Sequence, residues 1–163
     1  MRKFRAVLLA IALTAGLVVS QGPAVYAAPG TKVKGVGSAE LNGLVNSFSF
    51  DGSGSGTKFS GGFLFIDSTG RSVSGKVSCI QLMQATVGNT VVLVGQINQT
   101  KTDGNALGQV GDYLVITAFD STSGDTSDRL NVTNVGSSNP GCRAAASPTT
   151  TQINRGGYIK ITP

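Results

Sequence analysis

From about residue 30 onwards, apolar and polar residues alternate with a period close to two. Phe48 and Phe50 share one face of such a segment, and in the next segment Phe63 and Phe65 lie opposite Leu64. A period of two is typical of half-buried β strands, whereas an amphipathic helix repeats every 3.6 residues. The alternation predicts strands over residues 32–41, 45–50, 59–67, 72–84, 90–99, 111–120, 129–134 and 157–162. No segment after residue 30 carries a helical period.

Glycine, serine, asparagine and aspartate separate these segments and indicate how they are joined. Residues 67–70, Asp-Ser-Thr-Gly, fit a type I turn closed by a glycine at positive φ. Residues 87–89 fit a tight reversal, and the Gly- and Ser-rich residues 51–57 predict a flexible loop. Residues 139–151 are rich in Pro, Ala and Thr and predict an irregular segment.

About eight strands joined mainly by hairpins indicate an all-β fold, either a single antiparallel β-barrel or a sandwich. The barrel is preferred for two reasons. Strands near ten residues long suit closure, and glycines inside strands, such as Gly75 and Gly95, allow sharp coiling.

The first 27 residues have the form of a secretory signal peptide. Arg2, Lys3 and Arg5 precede an apolar run over residues 6–20, and small residues stand before a cut after Ala27. The alternative is a membrane anchor, but the run is shorter than the roughly 20 residues that span a bilayer. The sequence therefore predicts a secreted, extracellular protein with one β domain over residues 28–163, with no membrane span after cleavage.

Removal of this segment changes the charge. The whole chain has 13 basic and 8 acidic residues, a net charge of +5, and loss of three basic residues leaves +2. So small a charge does not indicate a nucleic-acid or membrane-surface partner.

Two cysteines follow the signal peptide, Cys79 and Cys142. Thiols are oxidised outside the cell, so one disulfide is expected, with two free thiols as the alternative. The alternation over residues 72–84 places Cys79 on the same face as Val73 and Val77.

The residues available for catalysis are few. The chain has no histidine, and Glu40 is its single glutamate, which excludes Ser-His-Asp and Cys-His catalysis. Ser55 and Lys58 match the spacing Ser-x-x-Lys, but a glycine loop cannot stack them as a helix would. An aspartate pair of the glycosidase type remains open. The sequence thus favours a protein without catalytic residues or a required cofactor.

One acidic segment stands out as a candidate metal site. Asp120, Asp125 and Asp128 lie within nine residues between two predicted strands. Closely spaced carboxylates in an extracellular loop are typical Ca²⁺ ligands. The alternative is a solvated hairpin tip in which aspartate acts as a turn former.

The order of glycine and aromatic motifs resembles the post-COAP-type β domains of exported bacterial proteins. The matching pieces are Gly35 and Gly37, residues 48–50, residues 61–65, Gly95, residues 111–113, residues 118–120, Asp128 and residues 156–159. The resemblance implies an accessory module of the kind attached to secreted enzymes or adhesins, and it brings no catalytic residues.

These observations predict a secreted, non-enzymatic β domain that binds an extracellular ligand or a component of the cell surface. Two alternatives stay open. One is a lipocalin-like barrel that holds a small apolar ligand in its lumen. The other is a hydrolase that uses a pair of aspartates.

Overall fold

The computed structural model describes residues 30–85, 88–101, 106–124, 127–141, 151–152 and 157–163. Within these ranges the chain forms β strands and no helix. The strands are β1 (Thr31–Leu41), β2 (Leu44–Ser55), β3 (Lys58–Asp67), β4 (Ser72–Ala85), β5 (Gly88–Lys101), β6 (Tyr113–Ser121), β7 (Arg129–Asn134), β8 (Thr151–Gln152) and β9 (Tyr158–Thr162).

All nine strands belong to one sheet, in the order β8-β7-β6-β5-β4-β3-β2-β1-β9. Strands β1 to β7 form an antiparallel meander, and β9 returns to pair antiparallel with β1, where Val33 lies opposite Ile161. The free edge of β9 then approaches β6, so the sheet curls into a nearly closed barrel. The predicted fold class, an antiparallel all-β barrel of about eight strands, is confirmed.

A row of four phenylalanines runs through the interior. Phe48 and Phe50 on β2 stack with ring centroids 5.7 Å apart, and Phe63 and Phe65 on β3 lie 6.1 Å apart. Phe48 joins the two pairs, with its ring 6.4 Å from that of Phe65. All four are buried, as the alternation of the sequence predicts. Aromatic pairs at these distances add stability beyond the area that they bury.

Glycines on the neighbouring strands make room for these rings. Gly35 lies directly opposite Phe50, and Gly75 directly opposite Phe63. A Cβ atom on Gly95 would lie 2.6 Å from the Phe63 ring, closer than real Cβ atoms come. The aromatic rings therefore occupy the space that side chains would take at these positions, which fills this part of the barrel.

The hairpin between β1 and β2 turns on Asn42 and Gly43, with φ angles of 52° and 75°. Leu41 and Leu44 close it as a directly opposed pair. Two central residues at positive φ define a type I′ turn, for which Asn-Gly is the preferred sequence. This turn is absent from the sequence-based predictions above, although its dipeptide is a strong hairpin signal.

The predicted flexible loop over residues 51–57 is wrong for most of its length. Strand β2 continues to Ser55, and only Gly56 and Thr57 form the turn to β3. Gly52 is buried, and a Cβ atom there would lie 2.9 Å from Cδ1 of Ile80. Composition predicts a loop because glycine and serine dominate this segment. Here, however, glycine lies inside a strand, where the absence of a side chain allows close packing.

The predicted facing of Cys79 is also wrong. The register between β4 and β5 shifts at this point, since Val77 pairs with Gly95 whereas Cys79 pairs with Val94. Ser78 is the extra residue of a β-bulge, which reverses the inward and outward positions after it. Val77 therefore belongs to the interior, and Cys79 packs with Val92, Val94 and Val115 in a second cluster on the outside of the sheet.

The predicted turn at residues 67–70 is confirmed. Gly70 has φ 84°, and its N–H donates to the Asp67 carbonyl oxygen at 2.9 Å. The predicted reversal at 87–89 lies partly outside the described residues, and Gly88 and Asn89 already belong to β5. Of the segment 139–151, residues 142–150 lie outside the described part, and Thr151 begins β8.

Candidate binding groove

Asp120 and Asp128, two of the predicted calcium ligands, accept hydrogen bonds from the backbone. Asp128 is fully buried, and its Oδ1 accepts from Ser121 N–H at 2.9 Å while its Oδ2 accepts from Ile159 N–H at 2.7 Å. Oδ2 of Asp120 accepts from Ile161 N–H at 2.7 Å. Asp120 continues the inward-facing series of β6, and Asp128 precedes the buried Leu130 by two residues.

These bonds lie at the seam where the barrel closes. Ile159 and Ile161 are alternate residues of β9, so their N–H groups point to the same edge, away from β1. An unpaired edge presents backbone groups that need partners. Two carboxylates supply acceptors here and join β9 to the end of β6 and the start of β7.

The third predicted ligand, Asp125, lies outside the described residues. Among the described residues, no three Asp, Glu, His or Cys side chains come together as a metal site would require. The seam bonds account for Asp120 and Asp128 without a cation, and the calcium site stays a prediction.

Other aspartates also serve the backbone around them. Asp67 holds the β3–β4 turn, and Oδ2 of Asp112 accepts from Gln109 N–H at 3.2 Å and from Nδ2 of Asn134 at 2.8 Å. Asp51 differs from these residues because its side chain is exposed on the outer face of β2.

Cys79 is buried and is not a free thiol. Cys142 lies outside the described residues. The bond between Cys79 and Cys142 therefore stays a prediction.

An open groove of about 460 Å³ lies on the outside of the barrel, across β9, β1 and β2. Three lysines, one carboxylate, one tyrosine and two hydroxyl side chains line it, and the backbone at Val33 and Gly52 forms the floor. These side chains are Lys32, Lys34, Lys160, Asp51, Tyr158, Ser53 and Thr162.

The strand register arranges these side chains in rows across the three strands. Lys34 of β1 lies directly opposite Lys160 of β9 on one side and Asp51 of β2 on the other. In the next row Lys32 lies between Thr162 and Ser53. Such directly opposed positions have Cα atoms about 5 Å apart, and Lys32 and Lys34 are about 7 Å apart along β1.

The groove was missed at the level of sequence because β1 and β9 lie at opposite ends of the chain. The alternation of Lys32 and Lys34, and of Tyr158, Lys160 and Thr162, marks two polar strand faces. Nothing in that alternation indicates that the two strands pair. The antiparallel return of β9 to β1 brings Lys160 beside Lys34.

Comparisons with protein-family models, with curated proteins and with solved structures found no match. The resemblance to post-COAP-type domains therefore stays a prediction. Among the described residues there is no helix with the length and apolar character of a membrane span.

Proposed function

We propose that this protein is a secreted, non-enzymatic binding domain that contacts a component of the cell surface or an extracellular ligand through its outer face. The observation that carries the proposal is the filled interior. Phe48, Phe50, Phe63 and Phe65 form a continuous aromatic row, and glycines stand where larger side chains would meet those rings. A barrel packed in this way uses its lumen for stability, which leaves the outer surface for recognition.

The groove over β9, β1 and β2 is the part of the outer face best suited to this role. It presents charged, hydroxyl and aromatic side chains of three strands in one concave surface, which offers a ligand several kinds of contact. It also holds Lys34 between Lys160 on one side and Asp51 on the other, so three lysines face a single carboxylate and the groove keeps an excess of positive charge. That excess of positive charge at an exposed site is a reason to look for a ligand there.

The two alternatives have less support. A lipocalin-like lumen needs space where the phenylalanine rings pack. A hydrolase needs two carboxylates free to face a substrate, but Asp120 and Asp128 both accept backbone hydrogen bonds and Asp51 is the single carboxylate of the groove. An accessory role, as the post-COAP resemblance implies, agrees with a binding surface on the outer face of the barrel.

One pair of experiments separates the binding domain from the lipocalin-like barrel. The secreted protein is incubated with insoluble envelope material from the producing cells, and the sedimented fraction is measured. We expect binding that K32Q/K34Q/K160Q removes and that K58Q/K76Q/K101Q, with the same loss of charge outside the groove, retains. The same protein is titrated with the fluorescent apolar probe N-phenyl-1-naphthylamine, for which we expect no saturable site. Stoichiometric probe uptake without envelope binding would establish the lipocalin-like alternative instead.

Secretion and the disulfide belong to the same proposal and have their own test. Mass spectrometry of culture supernatant is expected to find a chain that begins at Ala28. Non-reducing peptide mapping of that chain is expected to find Cys79 linked to Cys142. A full-length chain retained in the membrane would contradict export, and separate thiol-containing peptides would contradict the bond.

A further inference from the structure

The charge of the groove points to an anionic ligand. Lys32, Lys34 and Lys160 face the same concavity, and Asp51 is the one carboxylate among them. In the part of the chain that the structure describes, none of these four side chains takes part in an ion pair. An anion bound between Lys34 and Lys160 would relieve the repulsion between them.

The other side chains point to a sugar rather than to a simple anion. Tyr158 is half-buried at one end of the groove, beside Val36 on β1, and offers an amphipathic ring. Ser53 and Thr162 add hydroxyl groups at the opposite end. Asp51 would repel a simple anion that has no hydroxyl groups. With a sugar, its carboxylate can accept hydrogen bonds from the hydroxyl groups.

The shape of the groove favours a polymer. An open surface across three strands does not enclose a small molecule, whereas a chain can lie along it and leave at both ends. The lysines are spaced about 5 Å across the strands and about 7 Å along β1, which allows successive acidic groups to contact different lysines.

We propose that the groove formed by Lys32, Lys34, Asp51, Tyr158 and Lys160 binds an acidic polysaccharide. Lysines contact the acidic groups, Tyr158 packs against a sugar ring, and Asp51 accepts from hydroxyl groups. This inference rests on the proposed function, since it names the ligand class of the same surface.

The test measures affinity by isothermal titration calorimetry for four polymers: polygalacturonate, dextran sulfate, neutral dextran and polyphosphate. The first two are acidic polysaccharides, the third lacks charge and the fourth lacks sugar. We expect the acidic polysaccharides to bind and neutral dextran not to bind. Binding is expected to weaken with added salt, because exposed charges are screened.

Variants then assign the binding to the groove. K34Q/K160Q is expected to weaken acidic polysaccharide binding at least tenfold, and K58Q/K101Q, with the same charge change elsewhere, less than twofold. Y158A is expected to weaken polysaccharide binding and leave polyphosphate binding unchanged. D51A is expected to weaken polysaccharide binding and strengthen polyphosphate binding. Thermal melts of each variant check that the fold is intact.

Several outcomes would overturn the inference. One is that neither acidic polysaccharide binds, and another is that both lysine pairs weaken binding equally, as diffuse charge would. Polyphosphate that binds more tightly than both acidic polysaccharides would assign the surface to another class of polyanion. If the envelope binding described above persists while acidic polysaccharides fail, the ligand class alone is wrong. If envelope binding is absent as well, the proposed function fails.

Discussion

At the scale of single residues, Asp67 shows how one carboxylate fixes a turn. Oδ1 accepts from the Thr69 hydroxyl at 2.6 Å and from two backbone N–H groups, those of Thr69 and Arg71. Oδ2 forms an ion pair with Nε of Arg71 at 3.0 Å. The hydroxyl hydrogen bond from Thr69 is the largest of the effects that hold the pKa of Asp67 below its usual value of 3.8.

This shift predicts how stability depends on pH. A carboxylate whose pKa is lower in the folded than in the unfolded state stabilises the fold above its unfolded pKa, and the effect is lost as pH falls through the folded pKa. Chemical denaturation from pH 7 down to pH 2.5 is therefore expected to show a gap between the wild type and D67N that closes below about pH 4.

Variants of Thr69 test the cause of that shift. T69V removes the hydroxyl donor and is expected to move the acid loss of stability to higher pH, whereas T69S keeps the hydroxyl and serves as the control. Equal curves for T69V and T69S would contradict the assigned cause.

The predicted calcium site is also decided at residue scale, through Asp125. Changing Asp120 or Asp128 would disturb the seam, so D125N is the variant that tests the cation separately. An extracellular site filled at ten times its Kd adds about 1.4 kcal/mol, or a few degrees in the melting temperature. The calcium hypothesis predicts this difference between melts with calcium and with chelator, and its loss in D125N. If the wild-type melts with calcium and with chelator coincide, the calcium hypothesis is wrong, and Asp120 and Asp128 act only as hydrogen-bond acceptors at the seam.

At the scale of strands, aromatic residues and glycines on neighbouring strands act as pairs. Gly75 is an example, because a Cβ atom there would collide with the Phe63 ring and with the Gln96 carbonyl oxygen. Gly62 is nearby in the same sheet, but it faces outward, and the nearest atom to its Cβ position is the Gly75 carbonyl oxygen at 3.2 Å. Neither glycine requires positive φ.

This contrast predicts unequal effects of the same substitution. G75A is expected to destabilise the barrel by about 1–3 kcal/mol, as overpacking of a core does, because backbone oxygen and a packed ring must both move. G62A is expected to lower the free energy of unfolding less than G75A does, because the Gly75 carbonyl oxygen needs to move by only a few tenths of an ångström. Urea denaturation of the two variants measures the difference, and equal losses would show that the phenylalanine rings do not require the glycines.

At the scale of the whole molecule, the seam determines whether the sheet is closed. Strand β9 has five residues and pairs along one edge with β1. On its other edge, two carboxylates take the place of strand pairing. Hydrogen bonds to charged acceptors contribute about 1.5–3 kcal/mol each, so a few side chains can hold this edge.

Removal of one acceptor is expected to open the seam locally. D128A leaves the N–H groups of Ser121 and Ile159 without their acceptor and is expected to destabilise the fold by about 3 kcal/mol or more. Amide hydrogen exchange is expected to accelerate most at Ile159 in D128A and at Ile161 in D120A. D51A, at an exposed site, is expected to stay within about 0.5 kcal/mol of the wild type. Unchanged exchange at both isoleucines would contradict the seam role.

The amino-acid sequence by itself determined the class of fold. Alternation with period two follows from the geometry of a strand, which is local, so the inward faces of β2, β3 and β6 and the turn at Asp67 are evident without any structure. The absence of histidine likewise limited the chemistry before any geometry was known.

The tertiary structure decided the features that depend on pairing between distant segments. The bulge at Ser78, which turns Cys79 outward, depends on the register with β5. The strand character of residues 51–55 depends on Ile80 and Leu93 above Gly52. The carboxylate seam and the lysine groove both depend on the return of β9, because closing a barrel brings the two ends of a chain together and no local pattern records that contact.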